Sequence, residues 1–183
     1  MQAPRLTPLL LVILVAVSCR SEVAPELELP AVTVEVSYTD LLPNARQPLE
    51  GLVSGGQPSP EQLALARDMG FKTVVNLRTA GEPGSGRDEV EALGFSYLWL
   101  PIDGAGALTA ENALAFATAL EEAERPALVH CGSGNRVGAL FALKAFHADD
   151  KSAAESLEIG LAAGLTRLEG AVRRHLAEAE AGS

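Results

Sequence analysis

A short predicted strand that runs through a glycine-rich loop into a predicted helix constrains this chain more than any other feature. Residues Ala127 to His130, directly after Pro126, predict a buried strand, and residues 139–146 predict a helix. Backbone N–H groups converge at the start of a helix, where the positive end of the macrodipole also lies. The loop between these two elements is therefore predicted to bind an anion.

Two side chains at this predicted anion site are reactive or can bind an oxyanion. Cys131 lies at its base, where the field of a helix N-terminus favours the thiolate over the thiol. Arg136 can direct two N–H groups at two oxygens of a bound oxyanion. The loop therefore predicts a thiolate nucleophile in an anion-binding site. The alternatives are a buried core cysteine, a common environment for this residue type, and an arginine that forms a surface ion pair.

Strand and helix signals alternate along the rest of the chain. Strands are predicted at residues 52–54, 72–77, 97–100 and 127–130, helices are predicted to start at Ser59, Asp88, Thr109, Ser152 and Thr166, and residues 40–48 are predicted to form a loop. This order predicts an α/β fold with a small, mainly parallel central sheet flanked by helices, the Cys131 loop lying between a central strand and a helix. Ligands bind such sheets at the carboxyl ends of the strands, where Asp103 and Cys131 both lie.

Charge and histidine placement exclude two classes of function. The formal net charge of the 183 residues is −10, which argues against a nucleic-acid-binding surface. The three histidines, His130, His147 and His175, show no metal-ligand spacing, and the last two lie in late helical segments where we expect them to be solvated. We therefore expect neither a metal nor another cofactor.

The N-terminal region predicts export and attachment to a membrane. Leu9 to Val17 is an unbroken apolar run that would span only about 14 Å as a helix, against a hydrocarbon core of about 30 Å, so residues 1–18 predict a signal peptide. Ala16-Val-Ser-Cys19 resembles a bacterial lipobox, in which the cysteine is lipidated; an ordinary signal peptide with an incidental Cys19 is the alternative. We expect a lipid-anchored protein of the bacterial cell envelope, facing the periplasm or otherwise extracytoplasmic.

The chain is thereby divided into three predicted parts. Residues 1–18 form the lipoprotein-type signal peptide, and residues 19–47 form a tether rich in glutamate and proline. Within the tether, valines alternate with polar residues from Ala31 to Tyr38, which predicts an edge strand. Residues 48–181 form the folded domain.

Residues 49–146 resemble the cysteine-dependent protein-tyrosine/dual-specificity phosphatase superfamily, and within it the bacterial branch of beta-lactamase-hydrolase-like phosphatase-like domains. Four motifs in the same order carry the resemblance: Ser54-Gly-Gly-Gln-Pro-Ser59, Gly70-Phe-Lys-Thr-Val-Val-Asn-Leu-Arg78 followed by Glu82, Leu100-Pro-Ile-Asp-Gly104, and His130-Cys-Gly-Ser-Gly-Asn-Arg136. Each motif alone is weak, whereas the four together are specific.

The resemblance implies a phosphatase that acts on phosphomonoesters, phosphotyrosine among them, through a thiophosphate intermediate on Cys131. Asp103 would protonate the leaving oxygen, and His130 would support the loop behind the sulfur. Arg136 would bind the anionic phosphate group together with the loop amides, which belong to Gly132, Ser133, Gly134 and Asn135. Arg78 and Glu82 would either approach the site or form a structural ion pair. The reaction requires no metal.

Two departures from the superfamily pattern leave other functions open. Most members place five residues between the cysteine and the arginine, whereas only four separate Cys131 from Arg136; the beta-lactamase-hydrolase-like branch shares this shorter loop, which also resembles the active loop of rhodanese sulfurtransferases. Val137 stands where a serine or threonine often assists release of the sulfur. The alternatives are a rhodanese-like sulfurtransferase and a non-catalytic anion-binding module.

Overall fold

The structure, a computed structural model, describes residues 37–182. Its strands are β1 (Arg46–Leu49), β2 (Leu52–Gly55), β3 (Thr73–Asn76), β4 (Ser96–Trp99) and β5 (Ala127–His130). Its helices are α1 (Pro60–Asp68), α2 (Arg87–Ala92), α3 (Ala110–Glu122), α4 (Asn135–His147), α5 (Ala153–Ala162) and α6 (Glu169–Ala181). The predictions for the signal peptide, for Cys19 and for the tether up to residue 36 lie outside the described residues.

The five strands form one sheet in the order β1-β2-β5-β3-β4. β1 pairs with β2 in the antiparallel direction, and every other pair is parallel. The predicted α/β class and the mainly parallel sheet are therefore confirmed. β5 lies at the centre, so the Cys131 loop leaves the middle of the sheet at the carboxyl edge.

Alternate residues of the central strand face two different core clusters, as the two-residue period of a strand requires. Val129 packs in the cluster that contains Phe116 of α3 and Leu140 of α4. Leu128 packs in the cluster that contains Leu63 of α1. Helices therefore cover both faces of the sheet, and β5 is buried along its whole length.

The helix that follows the Cys131 loop begins four residues earlier than predicted. We expected it from residue 139, but α4 starts at Asn135. The reason is Gly134, whose left-handed backbone (φ 92°) turns the chain directly into the helix. Arg136 consequently lies in the first turn of α4 and not in a loop.

The region before residue 50 also differs from the prediction. Residues 40–48 were expected to form a loop, yet Arg46–Leu49 forms β1 at the edge of the sheet, where a proline such as Pro48 is tolerated. Tyr38–Asp40 is a 3₁₀ turn, whereas Tyr38 was placed at the end of an edge strand. Leu41 and Leu42 are fully buried. The folded unit therefore includes residues before its predicted start at 48.

The capping predictions hold at three helices and fail at one. The Ser59, Thr109 and Ser152 side chains each accept a hydrogen bond from the first turn of their helix. Thr166 does not cap α6, whose first residue is preceded by Leu168; the Thr166 hydroxyl instead donates to Asn135 at 3.1 Å. A distant acceptor thus replaces the predicted local cap.

Helix α5 approaches α4 closely because both carry glycine at the contact. A Cβ atom on Gly138 would lie 2.0 Å from the Leu165 nitrogen, and one on Gly160 would lie 2.7 Å from the Cβ of Ala142. The connection between α5 and α6 is thereby packed against the first turn of α4. Within residues 37–182, no helix is both long enough and apolar enough to cross a membrane.

Candidate active site

The loop after β5 holds the sulfur of Cys131 against the beginning of α4. Cys131 follows the last residue of the strand and is only 1% exposed. The Gly134 N–H, at the N-cap of α4, donates a hydrogen bond to Cys131 Sγ at 3.2 Å. This contact joins the predicted nucleophile to the amino end of the helix, where electrostatics stabilise negative charge.

Arg136 reaches the same loop from the first turn of α4, but its forked end is occupied by a carboxylate. Its Nη1 and Nη2 donate to the two oxygens of Glu82 at 2.7 and 2.6 Å, and Nη1 also donates to the Ile102 carbonyl at 3.0 Å. A guanidinium has five N–H groups. The two that remain, on Nε and on Nη2, form the edge that is available to a bound oxyanion.

Glu82 links two arginines. Besides its bonds to Arg136, it accepts a hydrogen bond from Arg78 Nε at 3.3 Å and two from Thr79. The two bonds from Arg136 hold the pKa of Glu82 well below its ordinary value, so this carboxylate is ionised. Arg78 and Glu82 were predicted either to form an ion pair or to approach the site. In the structure they form an ion pair with each other, and Glu82 also lies beside the Cys131 loop.

The charge of Arg136 is secured by its surroundings. Hydrogen bonding to Glu82 raises the pKa of Arg136, and the neighbouring Cys131 sulfur raises it further. Nη2 also lies 3.4 Å from the point that a Cβ on Gly132 would occupy. The free edge of the guanidinium therefore lies at the loop that the sequence predicted as an anion site.

His130 lies behind this loop as a neutral side chain. It is 1% exposed, and burial lowers its pKa to about 4, with the charges of Arg78 and Arg136 adding to the effect. Its Nδ1 has no hydrogen-bond partner among the described residues. At neutral pH the positive field at Cys131 therefore comes from the helix N-terminus and Arg136, and not from His130.

The Ser54-Gly-Gly-Gln-Pro-Ser59 motif supports the back of the loop. The Cys131 N–H donates to the Gly55 carbonyl at 3.2 Å, and the Gln57 N–H donates to the Gly132 carbonyl at 3.4 Å. Gly55 must lack a side chain because a Cβ there would stand 2.7 Å from the Cβ of Leu42. The motif thus acts by allowing two segments of backbone to meet.

Sequence reasoning overlooked two supporting residues. Asn44 donates from its side chain to the Ser133 carbonyl at 3.3 Å, and the Gln57 side chain accepts a hydrogen bond from Arg78 Nη1. Gln57 lies in a motif that the sequence analysis singled out, which was a usable signal. Asn44 lies in a stretch predicted to be an irregular loop, and nothing there marked it.

The four residues predicted to bind phosphate differ in their exposure and in which of their groups are free to contact a ligand. Gly132 is exposed, Ser133 is half-buried, and Gly134 is buried beside the sulfur. The Asn135 side chain accepts hydrogen bonds from the N–H groups of Thr166 and Leu168, at 2.9 and 3.2 Å. The side-chain oxygen of Asn135 therefore holds the segment that leads into α6, and the backbone amide of Asn135 is left to the loop.

Asp103 lies in the loop that follows β4. Its neighbour Ile102 accepts the hydrogen bond from Arg136, so this loop is tied directly to the site. Asp103 occupies the N-cap of a 3₁₀ turn, Gly104–Ala107, without a capping hydrogen bond from its side chain, and it is exposed. Its carboxyl group is thus not engaged by the turn that it precedes.

Comparison with known proteins agrees with this arrangement. Residues 45–148 match the family described as beta-lactamase hydrolase-like protein, phosphatase-like domain. The chain is 33% identical over 100 residues to the beta-lactamase hydrolase-like protein of Xylella fastidiosa, an alignment that covers 51% of this chain and 23% of that protein. The chain therefore spans about a quarter of the length of the curated relatives that it matches.

Solved structures show the same fold at lower identity. Tk-PTP in its active form has a TM-score of 0.56 and 22% identity, over 74% of this chain and 97% of that one. P. aeruginosa TpbA, crystallised in complex with pTyr, has a TM-score of 0.54 and 20% identity, over 80% of this chain and 84% of that one. The sheet and helices described above are thus those of protein-tyrosine-phosphatase-like proteins.

Proposed function

The chain belongs to the family of beta-lactamase hydrolase-like phosphatase-like domains, and we propose that it is a cysteine-dependent phosphatase that hydrolyses phosphomonoesters, including phosphotyrosine. One observation carries this proposal. The sulfur of Cys131 lies at the amino end of α4, within 3.2 Å of the Gly134 N–H, and Arg136 extends from the first turn of the same helix. A nucleophile and two groups that bind oxyanions are thereby held at one point.

In the first step, Cys131 Sγ attacks phosphorus and the bond from phosphorus to the ester oxygen breaks. Asp103 gives its proton to that oxygen, so the alcohol or phenol leaves neutral. The loop amides and the Nε/Nη2 edge of Arg136 bind the three remaining phosphoryl oxygens. This edge suffices because Glu82 and Ile102 take only the other N–H groups of the guanidinium.

In the second step, a water attacks the thiophosphate, Asp103 takes up the proton, and the thiolate leaves. Members of the superfamily often assist this departure with a hydroxyl directly after the arginine, where this chain has the fully buried Val137. Ser133 is half-buried in the loop and carries a hydroxyl that can replace it. Because position 137 itself offers no hydroxyl, the second step is expected to be the slower one even with Ser133 assisting.

A rhodanese-like sulfurtransferase is the second candidate, favoured by the four-residue spacing between Cys131 and Arg136. The upstream motifs and the family favour the phosphatase. A non-catalytic anion-binding module is the third candidate, and it follows if the sulfur binds phosphate but does not turn over.

Purified protein distinguishes the three candidates when it is assayed on an aryl phosphate and, separately, on thiosulfate with cyanide. Phosphate release that disappears in Cys131→Ser supports the phosphatase. Thiocyanate formation without phosphate release would refute the phosphatase and support the sulfurtransferase. If the protein is inactive in both assays but still binds inorganic phosphate, the result supports the non-catalytic anion-binding module. Ser156→Ala is the matched control, because Ser156 is also fully buried but lies on α5, and its hydroxyl has no hydrogen-bond partner within the described residues.

The crystal structure of TpbA with pTyr supports an anionic, phosphate-bearing substrate for this fold.

We also propose that Cys19 anchors the protein to a membrane of the bacterial cell envelope. Radiolabelled palmitate should label the wild-type protein expressed in bacteria but not Cys19→Ser. Equal labelling of the two proteins would refute the anchor.

A further inference from the structure

A pocket of about 310 Å³ lies beside the Cys131 loop and has no part in the reaction proposed above. Glu82 forms the boundary between them, since it lines the pocket and also binds Arg136. Its Oε2 is 3.9 Å from the point that a Cβ on Gly132 would occupy. The pocket therefore begins about one side chain away from the loop that would hold the reacting phosphate.

One buried and one exposed aromatic residue line this pocket. Tyr97 and Trp99 lie two residues apart on β4 and so project from the same face of the sheet. The hydroxyl of Tyr97 accepts a hydrogen bond from Asn76 at 2.7 Å, and the indole N–H of Trp99 donates to the Arg78 carbonyl at 2.7 Å. Both rings are therefore fixed in place. Tyr97 is buried in the core beneath Arg87, whereas Trp99 is 49% exposed and can pack against a ring of a ligand.

A buried cation in the wall retains an unused donor. Arg78 is only 7% exposed; its Nη1 donates to Gln57 and its Nε donates to Glu82. No hydrogen bond within residues 37–182 uses its Nη2. Because guanidinium groups pair best with oxyanions, this atom is available to an anionic ligand in the pocket that Arg78 lines.

A second guanidinium stands on the solvent side of the pocket. Arg87, the first residue of α2, lies over the ring of Tyr97, 4.9 Å from its centroid. Its Nη1 donates to Glu91 and to the Tyr97 carbonyl. The side chain is 51% exposed, and no acceptor within the described residues takes its Nε or Nη2. Arg87 can therefore bind an anion without losing its present contacts.

We propose that this pocket binds a second anionic group on the leaving-group side of the substrate. The substrate is then a phosphomonoester of a ring-bearing alcohol or phenol whose ring carries a carboxylate or a second phosphate. The ring packs on Trp99, and the second anion pairs with Arg87 and with the free Nη2 of Arg78. This inference rests on the proposed phosphatase activity, which places the first phosphate at Cys131.

The test compares kcat/KM for phenyl phosphate with kcat/KM for 1,3- and 1,4-phenylene bisphosphate and for the matching carboxyphenyl phosphates. We expect at least one of the doubly anionic esters to be preferred about tenfold, which is what one charge-assisted hydrogen bond supplies. Whether the bisphosphate or the carboxylate series is preferred identifies the second anion.

Arg87→Met should remove this preference, mainly through KM. Arg173→Met is the matched control, because Arg173 forms a similarly exposed helical ion pair, with Glu169, outside the pocket. It should leave the preference intact. Turnover of phenyl phosphate without any preference, or a preference that survives Arg87→Met, would overturn the inference and leave the phosphatase activity standing.

Equilibrium binding to Cys131→Ser separates the two proposals. If the wild-type protein hydrolyses none of these esters, the proposed function fails. The pocket is then judged by calorimetry alone: about tenfold tighter binding of a phenylene bisphosphate than of phenyl phosphate, lost in Arg87→Met, supports it. Equal binding of the two compounds refutes it.

Discussion

Lowering the pH from 7 to 5 should destabilise this protein through His130. The pKa of this buried imidazole falls from 6.5, its ordinary value, to about 4 in the fold. The unfolded chain therefore binds a proton that the folded protein does not. A group of this kind stabilises the fold fully above the unfolded pKa, and the stabilisation is lost as the pH falls towards the folded pKa.

The size of the effect follows from these two pKa values. At pH 7 the linkage removes almost no stability, and at pH 5 it removes about 2 kcal/mol. The expected loss between pH 7 and pH 5 is therefore about 2 kcal/mol, and it approaches about 3 kcal/mol below pH 4. Urea unfolding at pH 7 and pH 5, at constant ionic strength, measures this loss directly.

The variant His130→Gln should lose about 2 kcal/mol less than the wild type over the same interval, since groups that titrate in both proteins cancel in the difference. His147→Gln is the control. Burial and the neighbouring His175 also lower the pKa of His147, but this variant keeps the contribution of His130. Equal losses in the wild type and in His130→Gln would refute a neutral, buried His130 behind the Cys131 loop.

Three substitutions test other parts of the account. Glu82→Gln should lower the free energy of unfolding by about 2 kcal/mol, because it weakens two short hydrogen bonds to Arg136. Glu91→Gln, in the exposed ion pair with Arg87, should lower it by less than about 0.5 kcal/mol. Equal losses in the two variants would contradict a stabilising ion pair between Glu82 and Arg136. Gly138→Ala should destabilise by about 3 kcal/mol, because its Cβ would meet the Leu165 nitrogen at 2.0 Å, while Gly170→Ala, whose nearest neighbour is the end of a side chain at 3.7 Å, should be neutral or stabilising. An unchanged urea midpoint for Gly138→Ala would show that the connection between α5 and α6 does not pack against α4 as described. Asp103→Asn should slow hydrolysis of alkyl phosphates much more than that of nitrophenyl phosphate, whose leaving group needs no proton, and equal effects on the two would remove Asp103 as the acid.

Local patterns in the sequence predicted the strands and most of the caps because these depend on neighbouring residues. The strand Ala127–His130 was predicted at its observed bounds, and Ser59 caps α1 as expected. Local reasoning failed at α4, since glycines were taken to extend the loop to residue 138. One left-handed residue, Gly134, is enough to start a helix.

The contacts that organise the site join residues far apart in the chain, and no local pattern reveals them. Glu82 and Arg136 are 54 residues apart, yet their ion pair takes the forked end of the guanidinium that the sequence assigned to the substrate. His147 and His175, expected to be solvated, meet with their Nε2 atoms at 2.7 Å and are half-buried. Neither the Glu82–Arg136 ion pair nor the contact between the two histidines can be predicted before the packing of the elements is known.

A rapid-quench experiment with intact-protein mass spectrometry tests the central proposal most directly. The protein is mixed with nitrophenyl phosphate and quenched in acid during the first turnover. We predict a burst of nitrophenol equal to the enzyme concentration, together with a covalent phosphoryl group on Cys131, because Val137 offers no hydroxyl to assist the second step. Phosphate release at the wild-type rate by Cys131→Ser, without a phosphoryl adduct on either protein, would contradict the account.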